Sequence, residues 1–356
     1  MLISSEFKLA LDCCRRSFAT GGSPIDVDLS AAADWYRFLE LVRFHRIQGL
    51  AWNALPSRCG KLPNEVTDAL SRDAVAIAAS NLASSVEANQ LSSEFERASV
   101  PLLFLKGVTL GVLAYGKPAL KSAIDIDLLI DPSDLHRAAR LLRSNGYRLA
   151  APRESPEDRV LHAWHRTWKE SVWSKAPSFQ IDLHTRTADN PSLIPGVRVQ
   201  SPRQCVEVAG GSQLPTLADD ELFAYLAVHG ASSAWFRLKW ISDFAGFLHR
   251  RSADDIGHLY RRSQELGAGR AAGQALLLAD KLFGVLQQAP ELRDELRNDH
   301  ATVWLYRAAL RQVTGELREP TETRWGTLTM HWTQFLLLPG LSYKLSEVKR
   351  QAWRMR

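Results

Sequence analysis

Two aspartates interrupt an apolar run: residues 122–130 read SAIDIDLLI, with Asp125 and Asp127 two positions apart. Side chains alternate along a strand, so Ile124, Ile126, Leu128 and Ile130 share one face, and Asp125, Asp127 and Leu129 share the other. At a rise of about 3.3 Å per residue the two carboxylates stand about 7 Å apart along the backbone, from where they can lean onto one divalent cation. Neighbouring carboxylates repel and raise each other's pKa unless a cation neutralises them. Oxygen ligands of this kind suit Mg²⁺ or Mn²⁺, which then recruit phosphate oxygens. The spacing alone also describes a strand with one solvated face, and it leaves both readings open.

A third acid, Asp182, sits in FQIDLH, another apolar run, and His184 shares its face. The same D-x-D spacing recurs at Asp26 and Asp28, between a Gly-Ser-Pro loop and a helix start. There Asp28 or Ser30 is expected to cap the helix, with no part in chemistry.

The elements around these acids change character along the chain. Residues 1–20 read as one amphipathic helix. The run from Asp34 to Leu55 has apolar residues at Trp35, Phe38, Leu39, Leu41, Val42 and Phe44, the spacing of a helix with one broad apolar face. Residues 65–98 lack Pro and Gly and predict one long helix or two in line, with Val75, Leu82 and Val86 at spacings of seven and four. From Val100 the pattern becomes mixed. A short strand ends at Lys106-Gly107, and a helix follows from Val108 to Tyr115. The acid strand comes next, then a helix to Ser144 stopped by Asn145-Gly146, and strands at 147–150, 170–174 and 179–184. A strand ending in a glycine turn at a helix N-terminus can offer backbone N–H groups to phosphate. After a Pro- and Gly-rich connection, Thr216-x-x-Asp219 resembles a capping box opening a helix through Gly230. Further helices fit 236–250, 254–266, 270–283 and 301–315, and the basic stretch 344–356 reads as a solvated helix or frayed tail.

These residues together carry a resemblance. Leu105-Lys106-Gly107 with Tyr115-Gly116, then Lys121 before Asp125-Ile126-Asp127-Leu128-Leu129, then Gly146-Tyr147, resembles the DNA polymerase β-type nucleotidyltransferase superfamily. The chain is most similar to a branch of uncharacterised bacterial nucleotidyltransferases with the signature L-K-G…Y-G…R-x-x-x-D-I-D-L-L-V…G-Y. Asp34-Trp35 with His45, Asp182-Leu183-His184, and His229-Gly230 followed by Trp235, Arg237, Leu238, Trp240 and Asp243 extend the similarity over roughly residues 30–250. The resemblance implies an α+β fold: a small nucleotidyltransferase-type mixed sheet with helices at 100–190, between an N-terminal helical region (1–99) and a C-terminal one (191–356). It implies that Asp125 and Asp127 hold metals, and that Asp182 completes a second metal site or acts as base. Lys106-Gly107 stands where many members have Gly-Gly or Gly-Ser. Lys121 replaces the signature's arginine, keeping the charge without the planar fork. His184, His229, Arg237 and Lys239 are carried along as candidates for nucleotide binding, against ordinary structural roles. Lys239 and Asp243, at i and i+4, also fit a surface ion pair.

The expected activity is Mg²⁺- or Mn²⁺-dependent transfer of a nucleoside monophosphate, AMP from ATP or its equivalent from another nucleoside triphosphate, to a small molecule or peptide. Phosphoryl transfer at the same metal site, or a non-catalytic regulatory or antitoxin-like nucleotide binder, are the alternatives. Asp127→Asn is expected to relieve repulsion between carboxylates, leaving cation-free stability level or higher.

Composition sets outer bounds. A net charge of +5 over 356 residues suits an anionic small ligand and lacks the Lys/Arg density of a duplex nucleic-acid binder. No G-x-x-x-x-G-K-[ST] is present, which disfavours a P-loop kinase. The cysteines (Cys13, Cys14, Cys59 and Cys205) show no C-x-x-C pair, so reduced thiols in the cytoplasm are expected rather than zinc or a disulfide framework. No signal-peptide pattern opens the chain, and no apolar run reaches membrane-spanning length.

Overall fold

The computed structural model describes residues 3–18, 34–55, 62–153, 158–177, 179–315, 317–322 and 326–354. Asp26 and Asp28 lie outside the described residues. The mixed fold is α+β. A five-stranded sheet is built from β1 (Leu103–Phe104), β2 (Ile126–Leu129), β3 (Arg148–Ala151), β4 (Glu170–Lys175) and β5 (Phe179–His184), in the order β1-β2-β5-β4-β3. β2 and β5 run parallel and every other neighbouring pair antiparallel.

Both faces of the sheet are covered. Phe104, Ile126, Leu128, Trp173, Ile181 and Leu183 pack against Ala88, Leu91 and Phe95 of α4 (Asn64–Arg97) and against Leu135, Ala138, Ala139 and Leu142 of α6 (Leu135–Ser144). Leu103, Leu105 and Leu129 belong to a second cluster, made by helices from both ends of the chain. These include α1 (Ser5–Phe18), α2 (Trp35–Phe44), α3 (Gln48–Ala54), α5 (Val108–Tyr115), α8 (Asp219–Ser232), α9 (Leu238–Leu248) and α11 (Arg270–Phe283). At about 1.5–3 kcal/mol per fully buried large aliphatic side chain, this second cluster is what holds the helices over the acid-bearing face.

Several local expectations change in the structure. The helix expected over 35–55 is two, because Arg46 takes a left-handed conformation (φ 56°). The break lets buried His45 accept a hydrogen bond at Nδ1 from the Leu238 amide, 3.1 Å away, docking α9. The acid strand starts at Ile126, so Ile124 is exposed instead of joining the core. Asn81 explains why: its Nδ2 donates to the carbonyls of Pro118 (2.8 Å) and Lys121 (2.7 Å), holding the preceding turn against α4. Val75, Leu82 and Val86 face outward, and α4 buries Val66, Ala69, Leu70, Asn81, Ser85, Ala88, Leu91 and Phe95.

Thr216 does not cap α8. It is buried in strand β7 (Gln213–Leu217), which pairs with β6 (Arg203–Glu207) in a hairpin inside the Pro- and Gly-rich connection. The capping box belongs to Ser252 and Asp255, at the start of α10 (Ala253–Glu265). Helices α7 (Asp158–Thr167), α12 (Pro290–Asn298) and α14 (Gly326–Gln334) add to those expected from the sequence, and α13 (His300–Val313) is the one expected over 301–315. The last helix, α15 (Leu341–Arg354), is docked by buried Tyr343 and Glu347, the latter bonded to Asn190 (2.9 Å). Among the described residues no helix is long and apolar enough to cross a membrane.

Candidate functional site

Strand register assembles the site. Asp127 of β2 lies directly beside Asp182 of β5, and Glu170 of β4 lies opposite His184. In-register neighbours point to the same face, so four ionisable side chains from three strands converge there. One donor atom each from Asp127, Asp182 and His184 falls within 4.8 Å of the others. His184 Nε2 is 3.1 Å from Asp127 Oδ1, and its Nδ1 is 3.2 Å from Glu170 Oε2. Gln180 Nε2 donates to Asp182 Oδ1 at 3.1 Å. Asp127 is only 2% exposed, which is no solvated strand face.

Asp125 precedes the strand, and it meets Asp127 through a lysine. The Lys106 ammonium pairs with Asp127 Oδ2 and lies 3.4 Å from Asp125 Oδ1. Lys106 can do this because Gly107 turns the chain at φ 77°, a conformation glycine adopts without strain, and opens α5. Burial works against the Asp127 charge, yet Lys106 and His184 hold its carboxyl well below the ordinary range. Asp182 is compensated less: burial, then Asp127, Asp125 and Glu170, push it up to about 6, outweighing the opposite pull of His184. Burial also opposes the Glu170 charge, but Lys169 and His184 outweigh it and hold that carboxyl low.

The asymmetry gives a pH expectation. Between 3.8, the ordinary value, and about 6, folded Asp182 keeps a proton that the unfolded chain has released. That proton's contribution to stability of the cation-free protein is therefore lost as pH rises through the window. Urea melts across pH should show this decline in the wild type and a smaller one in Asp182→Asn. Equal slopes would place the raised carboxyl elsewhere.

Helix α8 closes the site from above. Tyr225 and His229 are one turn apart, with ring centroids 5.7 Å apart. The Tyr225 hydroxyl and His229 Nε2 are buried without a hydrogen-bond partner among the described residues. The Tyr225 phenol is pushed up by burial and then by Asp127, and His229 is kept neutral by burial and then by Lys106 and Lys169. Lys239 has no ion-pair partner among the described residues. Burial, followed by Lys121 and Lys106, pulls its ammonium down to about 7. Lys106, Lys169 and Lys239 thus act on one small region together with His229.

Two candidate cations lie in other contacts. Lys121 is buried in a pair with Asp243, which also accepts from Tyr115 Oη at 2.9 Å. Asp243 is therefore partnered to Lys121, not to Lys239. Arg237 donates to the Phe44 carbonyl, pairs with Glu319, and lies 5.1 Å from the Phe44 ring centroid. Lys121 fastens the turn before β2 to α9, and Arg237 fastens the start of α9 to α2. Glu170, Lys169, Tyr225 and Asn81 lie outside the sequence motifs: Glu170 opens the strand beside His184 and Lys169 directly precedes it, Tyr225 is one helical turn from His229, and Asn81 reaches the Lys121 turn only through the tertiary fold. His162 and His165 also lie outside the motifs, and His165 is held by Thr185 (2.9 Å) and Ser171 (3.0 Å).

Cavity size does not identify this site. A cavity of about 80 Å³ opens beside Asp125 and Gln180, whereas cavities of about 450 and 680 Å³ lie near Arg198 and between α11 and α13. The convergence of carboxylates, histidine and lysines is the better guide, because charge and donor chemistry decide what a site can hold. Two carboxylates and an imidazole nitrogen fit a divalent cation, and the adjoining lysines fit phosphate oxygens.

A family model described as an uncharacterised nucleotidyltransferase matches residues 31–284. No curated protein matches the chain.

Proposed function

Because the chain belongs to this uncharacterised nucleotidyltransferase family, we propose that it transfers AMP from ATP to a hydroxyl or phosphate of a small molecule or peptide, in the cytoplasm and with a divalent cation. The observation that carries this reading is the placement of Asp127 beside Asp182 on parallel neighbours, with Lys106 at a glycine turn against Asp127.

Asp125, Asp127, Asp182 and His184 supply the atoms that would hold the cation. When bound it would neutralise charge on the phosphate oxygens and polarise the phosphorus. A bound cation would share the carboxylate charge that Lys106 neutralises, and the Lys106 ammonium, at the edge of that position, would then meet the triphosphate. Lys239 and the amide end of α5 bind further phosphate oxygens. The acceptor oxygen forms a bond to the α-phosphorus while the bond to the bridging oxygen breaks, and pyrophosphate leaves with that electron pair. For a hydroxyl acceptor, Asp182 would take the proton. Burial under α8 keeps water from competing as acceptor.

Two experiments test this. The protein is incubated with ATP, Mg²⁺ or Mn²⁺ and a cell extract, and products are read by mass. A species gaining the mass of AMP supports the reading, and one gaining only phosphate overturns it. Lys106→Ala should lower stability, because it strands the buried Asp127 carboxylate, and in the protein that remains folded it should raise the KM for ATP at least tenfold, a loss of about 1.4 kcal/mol. An unchanged KM would leave Lys106 only its ion pairs.

A further inference from the structure

His184 is the unusual member of the donor set. It is 1% exposed, and both of its ring nitrogens face carboxylates: Nε2 faces Asp127 at 3.1 Å and Nδ1 faces Glu170 at 3.2 Å. With an N–H at Nδ1 directed at Glu170, Nε2 can turn a lone pair to a cation lying beside Asp127. A carboxylate behind a ligating histidine is the usual support of a metal-bound imidazole.

A second observation is independent of the acids. The Tyr225 hydroxyl, on a side chain 1% exposed, has no hydrogen-bond partner among the described residues and feels Asp127, Lys106 and Glu170. A water on a cation beside Asp127 would satisfy it. The neighbouring position, between Asp125 and Asp127, is already filled by the Lys106 ammonium.

We propose that Asp127, Asp182 and His184 Nε2 form a preassembled cation position that selects Mn²⁺ over Mg²⁺ and fills before nucleotide arrives, with Glu170 as the positioning residue for the imidazole. Mg²⁺ prefers an octahedron of oxygens and keeps its waters, whereas an imidazole nitrogen favours a first-row transition cation. Lys106 limits the nucleotide-free protein to one cation per chain. This inference rests on the transfer site proposed above and assigns its metal.

The test is spectroscopic and uses the full chain without nucleotide. Mn²⁺ titration followed by electron paramagnetic resonance should give one bound ion per chain, with nitrogen hyperfine coupling from a ligated imidazole. Mg²⁺ should displace it only in large excess. His184→Gln should remove the coupling and the preference. Glu170→Gln should retain the coupling while weakening Mn²⁺ binding about tenfold or more. A bound Mn²⁺ without nitrogen coupling, or equal affinity for the two cations, overturns the proposal, and the wild-type spectrum alone decides this. AMP transfer without nitrogen coupling sinks only the metal assignment. Nitrogen coupling without any nucleotide transfer sinks only the functional reading.

Discussion

Asp127→Asn is expected to abolish nucleotide transfer and also to lower the melting temperature of the cation-free protein. The catalytic loss follows from removing the carboxylate shared by Lys106, His184 and the cation position, and should reach 10²-fold or more, about 2.7 kcal/mol or above. The stability loss reverses what repulsion between aspartates suggests. Asp127 is 2% exposed and pairs with Lys106 on one oxygen and His184 on the other. Its neighbours are already neutralising it, so asparagine leaves the buried ammonium with Asp125 alone, 3.4 Å away. Unfolding a buried ion pair by removing one partner costs about 3–5 kcal/mol, and the retained amide oxygen keeps the expected loss near the lower end. Stabilisation by cation plus nucleotide should disappear as well, because it follows affinity. Thermal melts with and without cation check both statements. A variant as stable as wild type without cation would mean that Lys106 is not seated between the two acids.

The second large effect concerns a group with no contact to the acids. Lys121, Asp243 and Tyr115 form a buried network joining the turn before β2 to α9. Lys121→Met alone strands the Asp243 carboxylate in the core and should cost about 3–5 kcal/mol. Lys121→Met with Asp243→Asn keeps an acceptor for Tyr115 and leaves no unpaired charge, so it should recover most of that loss. Urea denaturation of the two single variants and the double variant measures the coupling. Additive losses would show that the pair is not formed.

The sequence spoke most clearly where one element determines its own pattern. The long uninterrupted run over 65–98, the Lys106-Gly107 turn and the acid strand each carry their signal locally, and they appear as α4, the opening of α5 and β2. It spoke least clearly where a partner from elsewhere decides. Whether Asp127 is wet depends on α8, a hundred residues later. Whether Lys121 meets phosphate or a carboxylate depends on Asp243. The hairpin β6–β7 was hidden because Pro215 and the Gly210-Gly211 turn resemble a loop composition. Glu170 became visible only through its cross-strand pairing with His184, a register that no single strand reveals.

The most direct measurement of the central claim follows the two ends of ATP. Parallel reactions carry ATP labelled at the α- or at the γ-phosphorus, with acceptor, cation and either wild type or Asp127→Asn. The expected result is α-label in the acceptor and γ-label in released pyrophosphate, with neither product in Asp127→Asn. Transfer of γ-label to the acceptor, or α-label transfer that survives Asp127→Asn, would contradict nucleotidyl transfer at this site.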